Sequence, residues 1–146
     1  MLLRVICLLM AGLWPFVATA QDLESLRNQA EQDSAALVRL RQAASQNAKA
    51  AFYLGTLYSP LITRRENTVV KGWPETLRWY RRAARLGCAR ADFDLGLAYE
   101  KGLGVAKDPQ RAAMYFSRMA AIARMETALP SSASAAAGQH MEIHKD

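Results

Sequence analysis

"AAFYLGTLY" at residues 50–58 and "ADFDLGLAY" at residues 91–99 write one helical phrase twice. Alanine, leucine, glycine and tyrosine recur at i, i+4, i+5 and i+8, which is one face of a 3.6-residue period. Each copy places a glycine, Gly55 or Gly96, directly after a leucine. A glycine inside a helix costs about 1 kcal/mol relative to alanine. Two glycines at matching places therefore imply a packing requirement: a neighbouring helix must come too close to admit a side chain.

The copies align at an offset of 41, pairing Ala50 with Ala91, Phe52 with Phe93 and Tyr58 with Tyr99. Downstream, Trp79-Tyr80 matches Tyr115-Phe116 at an offset of 36. The difference falls in the connections, residues 59–72 against 100–108, so the unit is about 36 residues long and its first copy carries a five-residue insertion. Self-similarity at this period predicts stacked helical hairpins. The second helix of unit one is WPETLRWYRRAARLG, with Pro74 in its first turn and Gly87 past its end. Unit two has Asp108 at the N-cap and Pro109 at the first helical position. Leu77, Trp79, Tyr80, Ala83 and Ala84 are the expected core of the first, and Ala112, Tyr115, Phe116, Met119 and Ala120 of the second. Ala43-Ala44 matches Ala83-Ala84, so the preceding helix reads as the second half of an incomplete, capping unit.

These residues resemble the Sel-1-like repeat family, relatives of the tetratricopeptide repeats. Unit two carries the pattern through Ala91, Leu95, Gly96, Tyr99, Gly102, Gly104, Val105, Asp108, Ala112 and Ala120. Unit one carries it at Ala50, Leu54, Gly55 and Tyr58, then in WYRRAARLG from Trp79 to Gly87. It departs at Gly72, where the pattern has Asp, and at Thr76, where it has Ala, and its connection lacks the Gly-x-Gly-Val turn. The resemblance implies an all-α, right-handed helical-hairpin solenoid with adaptor or protein-binding roles. Small exported bacterial members of the family include immunity proteins that neutralise toxins.

The ends frame this domain. Residues 1–20, MLLRVICLLMAGLWPFVATA, read as a signal peptide cleaved after Ala20, since a lone Arg4 precedes a short apolar run and Ala18-Thr19-Ala20 follows. The alternative is an uncleaved anchor. The expected organisation is a repeat domain over 21–126, with cap helices in 22–46, repeat one at 47–87 and repeat two at 88–124, followed by a flexible tail at 127–146. The expected location is the periplasm. Both histidines, His140 and His144, fall in the tail, where a polar terminus is the plainer reading than a metal site.

Without histidine in the folded region, and with carboxylates scattered along helices, the chain shows no acid, base and nucleophile grouped for catalysis. GLGV at 102–105 reads as an interhelical turn and not as a phosphate loop. The sequence therefore predicts no enzyme, metal or cofactor. The net charge of +6 favours acidic partners, but an exported chain is not expected to meet nucleic acid, and membrane contact is not expected either. Cys88, the one cysteine outside the leader, reads as a small buried residue.

What remains is binding to one protein partner, with a toxic effector enzyme such as a lipase as the example drawn from the resemblance, and an envelope adaptor as the alternative. First helices of successive units line the concave side of a repeat stack. Their non-core stripes are Lys49, Tyr53 and Thr56 in unit one and Arg90, Asp94 and Leu97 in unit two. Arg64 and Arg65 extend the candidate contact set from the long connection, whose Leu61, Ile62, Val69 and Val70 either pack on the body or face a partner. Arg78, Arg82 and Arg85 form a second stripe, read as a solvated outer face, or else as a contact for anionic lipid or an acidic protein.

Overall fold

The computed structural model describes residues 20–62 and 69–128. Among them are six helices and no strand: α1 (Ala20–Gln29), α2 (Ser34–Ala43), α3 (Ala48–Tyr58), α4 (Trp73–Arg85), α5 (Ala89–Lys101) and α6 (Pro109–Ala128). Residues 1–19 of the expected leader and 129–146 of the expected tail lie outside the described residues, while Ala20 begins α1 and Thr127 and Ala128 end α6. The sequence pattern predicts about five helices. The extra one arises because the N-terminal cap is itself a hairpin: Asp33 is extended, and its side chain accepts from the Ala35 amide at 2.8 Å, starting α2 afresh after α1.

Local chemistry sets the remaining boundaries. The Asn47 side chain accepts from the Ala50 amide at 2.9 Å, and Asp108 accepts from the Arg111 amide at 2.9 Å, so α3 and α6 each start on a side-chain cap. Gly72 supplies no such cap for α4. There Thr76, fully buried, donates its hydroxyl to the Gly72 carbonyl at 2.9 Å. The two departures of unit one from the repeat pattern thus belong together. At the far end of α4, Gly87 takes φ +88°, which only glycine adopts at no steric cost, and the Cys88 amide reaches back to the Ala83 carbonyl at 3.0 Å.

The core is a row of hairpins, α1 with α2, α3 with α4, and α5 with α6, in which α2 also meets α3 and α4 also meets α5. Leu40, Leu54, Leu57 and Leu95 are fully buried, each worth about 1.5–3 kcal/mol of transfer free energy. Between them run small residues, Ala44, Ala50, Ala51, Ala83, Ala84, Ala91 and Ala98, which let the helices approach closely. The repeated glycines stand at the closest approaches. A Cβ on Gly55 would lie 2.2 Å from Cδ1 of Tyr80, and one on Gly96 would lie 2.5 Å from Cε1 of Phe116. Tyr80 and Phe116 are themselves repeat partners, so glycine and ring form one unit of packing written twice.

Both connections close with the same hydrogen bond. The Gly72 amide donates to the Tyr58 carbonyl and the Asp108 amide to the Tyr99 carbonyl, each at 2.9 Å. The ends of the longer unit-one connection are therefore fixed as in unit two. Of its described apolar residues, Val69 is buried, whereas Leu61 is 67% and Val70 87% exposed. Lys71 holds its base, donating to the carbonyls of Leu57, Ser59 and Ile62. In unit two the turn lies directly on Trp73: Gly104 sits at φ +69°, and a Cβ there would come within 2.3 Å of Trp73 Cβ. The glycine-rich turn is thus a seat for the first residue of α4. Along α6 only Ala112 is buried, while Tyr115, Phe116, Met119 and Ala120 are half-buried.

Candidate protein-binding face

Helices α3 and α5 carry the stripes singled out in the sequence. Lys49 is exposed, with its ammonium 5.6 Å from the centre of the Tyr53 ring, and Tyr53 is half-buried against Phe52. Arg90 is exposed, covers the Phe93 ring at 5.6 Å and lies 3.7 Å from the Asp94 carboxylate. Leu97 is half-buried one turn further on. Thr56 departs from this arrangement. It is only 8% exposed, and its hydroxyl donates to the Tyr53 carbonyl at 2.7 Å, so the group is spent within its own helix. Arg64 and Arg65 lie outside the described residues.

The two stripes are joined through a residue of α4. The Tyr80 ring stacks on Phe52 with centroids 5.6 Å apart, and its hydroxyl lies beside the Asp94 carboxylate. Burial raises the Asp94 pKa, opposed by the charge of Arg90 and by the Tyr80 hydroxyl. Burial likewise pushes the Tyr80 hydroxyl well above its ordinary value. Tyr53, Phe52, Tyr80, Asp94 and Arg90 therefore form one connected patch across three helices. Sequence spacing alone did not mark Phe52 as part of the patch, although its recurrence as Phe93 was visible.

The outer arginines are clamps as much as solvated groups. Arg82 donates from Nε to the Ala44 carbonyl at 3.1 Å and from Nη2 to the Ser45 carbonyl. Arg118 donates from Nη2 to the Ala84 carbonyl at 3.0 Å. Arg82 and Arg118 are repeat partners, as are Ala44 and Ala84. Each arginine thus neutralises the C-terminal carbonyls of the preceding outer helix, where the helix dipole favours a cation. A second pair repeats beside it: Arg41 donates to the Tyr58 hydroxyl, and Arg81 to the Tyr99 hydroxyl at 3.5 Å. Arg111 also reaches Tyr99, at 3.4 Å, and these arginines lower the tyrosine's pKa. Reading the Arg78, Arg82, Arg85 line as a solvated face needs this correction at Arg82.

Unit two adds a buried charge. Asp92 has no solvent exposure, neither carboxylate oxygen has a hydrogen-bond partner among the described residues, and Arg118 Nη2 stands 3.6 Å away. Burial raises its pKa and Arg118 opposes the shift. Cys88, half-buried at the start of α5, has its thiol pKa raised chiefly by burial, which disfavours the reactive thiolate. No group of three histidine, cysteine, aspartate or glutamate residues able to hold a metal occurs among the described residues. No described helix is long and apolar enough to cross a membrane.

Comparison with known proteins agrees with a repeated helical hairpin. The Sel1 repeat model matches residues 74–88 and 89–121. The protein carries Sel1-like repeats. The first match begins at α4, so α3 and the lengthened connection of unit one fall outside it. A crystal structure of a Sel1 repeat protein from Oxalobacter formigenes is 36% identical and superposes with a TM-score of 0.50, covering 71% of this chain and 43% of that one. Chitin synthase regulatory factor 3 of Schizosaccharomyces pombe is 37% identical over 59 residues, which span 40% of this chain and 6% of that protein. The chain thus spans less than half of each relative's length. Sel1 repeats indicate a protein–protein interaction module, and the repeat family is a binding scaffold that is not typically enzymatic.

Proposed function

We propose that this Sel1-like repeat protein works in the periplasm as an immunity protein, binding and neutralising a secreted antibacterial toxin. The observation that carries the binding reading is the patch on α3 and α5, where Tyr53 and Arg90 stand at either end of a connected set of side chains. Aromatic and arginine side chains held by their neighbours are the usual anchors of protein interfaces. Asp94 and the Tyr80 hydroxyl hold the arginine end, Lys49 flanks the tyrosine, and Leu97 adds apolar surface. Arg64 and Arg65 would reach the partner from the connection. The signal-peptide reading of residues 1–20 supports the location, and the toxin partner rests on the family resemblance.

A second reading, an adaptor that scaffolds envelope proteins without inhibiting them, is favoured by the relative named a regulatory factor. Affinity purification of the chain from periplasm, with mass spectrometry of what remains bound, separates the two. Recovery of one secreted enzyme, together with toxicity of that enzyme in cells lacking this protein, is the expected result. Recovery of housekeeping envelope proteins without any toxicity favours the adaptor. Tyr53→Ala and Arg90→Ala are each expected to weaken the recovered partner's binding by about 1–3 kcal/mol. Unchanged affinity in both, with the fold intact, moves the binding face elsewhere.

A further inference from the structure

The α3 and α5 patch leaves another concentration of charge unused, on the opposite helices of the stack. Arg41 of α2 and Arg78, Arg82 and Arg85 of α4 line a groove of about 360 Å³ together with Ser45 and Trp79. Arg78 lies over the Trp79 ring at 4.9 Å, so the indole forms an apolar floor beneath a guanidinium. The Trp79 Nε1 is buried and has no hydrogen-bond partner among the described residues. Arg82 spends Nε and Nη2 on the Ala44 and Ser45 carbonyls, and Arg41 spends Nη2 on Tyr58. Their other guanidinium nitrogens carry no further bond to described residues. Among the described residues only Arg78 meets a carboxylate there, Glu75 at 2.9 Å, in an exposed pair that adds little stability. Four positive charges make the groove almost purely a donor surface. Its complement is a ligand rich in anionic acceptors.

The charges do not converge on a point. Arg78 and Arg85 are seven residues apart on one helix, which is about 10 Å at 1.5 Å per residue. A single phosphate can meet one or two of these guanidinia, and the rest remain unpaired. An extended peptide advances about 6.7 Å every two residues, so acidic side chains on alternate residues fall along the same line. Planar guanidinia donate bidentately to carboxylates. We propose that the groove between α2 and α4 binds an extended acidic segment of a protein partner, with carboxylates on alternate residues. This site is separate from the α3 and α5 patch and does not depend on it.

The test uses a fluorescein-labelled eight-residue peptide of alternating glutamate and serine, followed by anisotropy with the purified chain. A glutamine-for-glutamate peptide, inorganic phosphate and phosphatidylglycerol vesicles serve as the comparison ligands. The glutamate peptide is expected to bind, with an affinity that falls as salt rises, and the glutamine peptide to bind at least about tenfold more weakly. Arg78→Gln with Arg85→Gln, which spares the clamping Arg82, should cost about tenfold or more while the thermal melt stays close to wild type. Arg124→Gln on α6 and Tyr53→Ala on α3 should leave peptide binding unchanged, which keeps this site's failure distinct from failure of the proposed binding face. Equal binding of both peptides, or wild-type affinity in the folded double variant, would overturn the proposal. So would phosphate or vesicles binding more tightly than the glutamate peptide, which would assign the groove to a phosphate group instead.

Discussion

Replacing each repeat glycine by alanine should give unequal costs, although the two glycines hold the same place in the repeat. Alanine gains about 1 kcal/mol of helix propensity at either position. At Gly55 the new methyl would lie 2.2 and 2.4 Å from two atoms of the Tyr80 ring. That ring cannot retreat cheaply, because it is buried, stacks on Phe52 and has its hydroxyl beside Asp94. Overpacking costs about 1–3 kcal/mol, and disturbing the ring pair and hydroxyl adds about 1–2 kcal/mol. The net expectation for Gly55→Ala is a loss of about 2 kcal/mol, or roughly 8–16 °C in Tm for a domain of this size. At Gly96 the nearest ring atom is 2.5 Å away. Phe116, however, is half-buried on α6, so it can swing outward and Gly96→Ala should stay within about 1 kcal/mol of wild type. Urea melts followed by circular dichroism at 222 nm measure both. Equal shifts, or a stabilised Gly55→Ala, would show that ring restraint is not what requires the glycine.

Further outcomes follow from the same contacts. Gly96→Leu exceeds what an outward swing of Phe116 can absorb and should cost about 2–3 kcal/mol in the same melts. Arg118→Ala leaves Asp92 buried without its cation; because the Arg118 side chain is 43% exposed, the expected loss is about 1–3 kcal/mol and not the full cost of a buried pair. Combining it with Asp92→Asn should recover much of that loss, as a double-mutant cycle would reveal. The raised pKa of Asp92 means that the folded state binds its proton more tightly than the unfolded chain. Its contribution is therefore most favourable below the ordinary carboxylate range and is lost as pH rises from that range through the folded value. Asp92→Asn should flatten that part of the stability–pH curve measured by denaturant melts, and an unchanged slope would refute the assignment.

The hairpins were legible in the sequence because the signals that build them are local and written twice. Gly55 and Gly96 announced close approaches, and Asp108-Pro109 and Gly87 marked helix ends through backbone chemistry that few residues can perform. The arginines show where such reading stops. Spacing of i, i+4 and i+7 places Arg78, Arg82 and Arg85 on one stripe, but whether a long side chain bends back to a neighbour's carbonyl is decided by tertiary distance. Thr56 is a similar case. Its spacing from Lys49 and Tyr53 suggested an exposed stripe, yet the helix turns that position toward the core, where the hydroxyl is satisfied by its own backbone. The N-terminal hairpin was legible only in part, since α1 has no counterpart phrase elsewhere in the chain.

The arginine clamps make each outer helix depend on the one that follows it. Arg82 cannot hold Ala44 unless α4 is folded, and Arg118 cannot hold Ala84 unless α6 is folded. In a one-dimensional array, such bonds are nearest-neighbour coupling terms, and they determine whether units melt singly or together. Loss of α6, the least buried helix, would expose the carbonyl end of α4 and remove the cation facing Asp92, so fraying at one end would be transmitted to the unit before it. Hydrogen exchange should then show protection rising from α6 toward α3 as a graded front, with Arg118→Ala uncoupling α6 from the helices ahead of it.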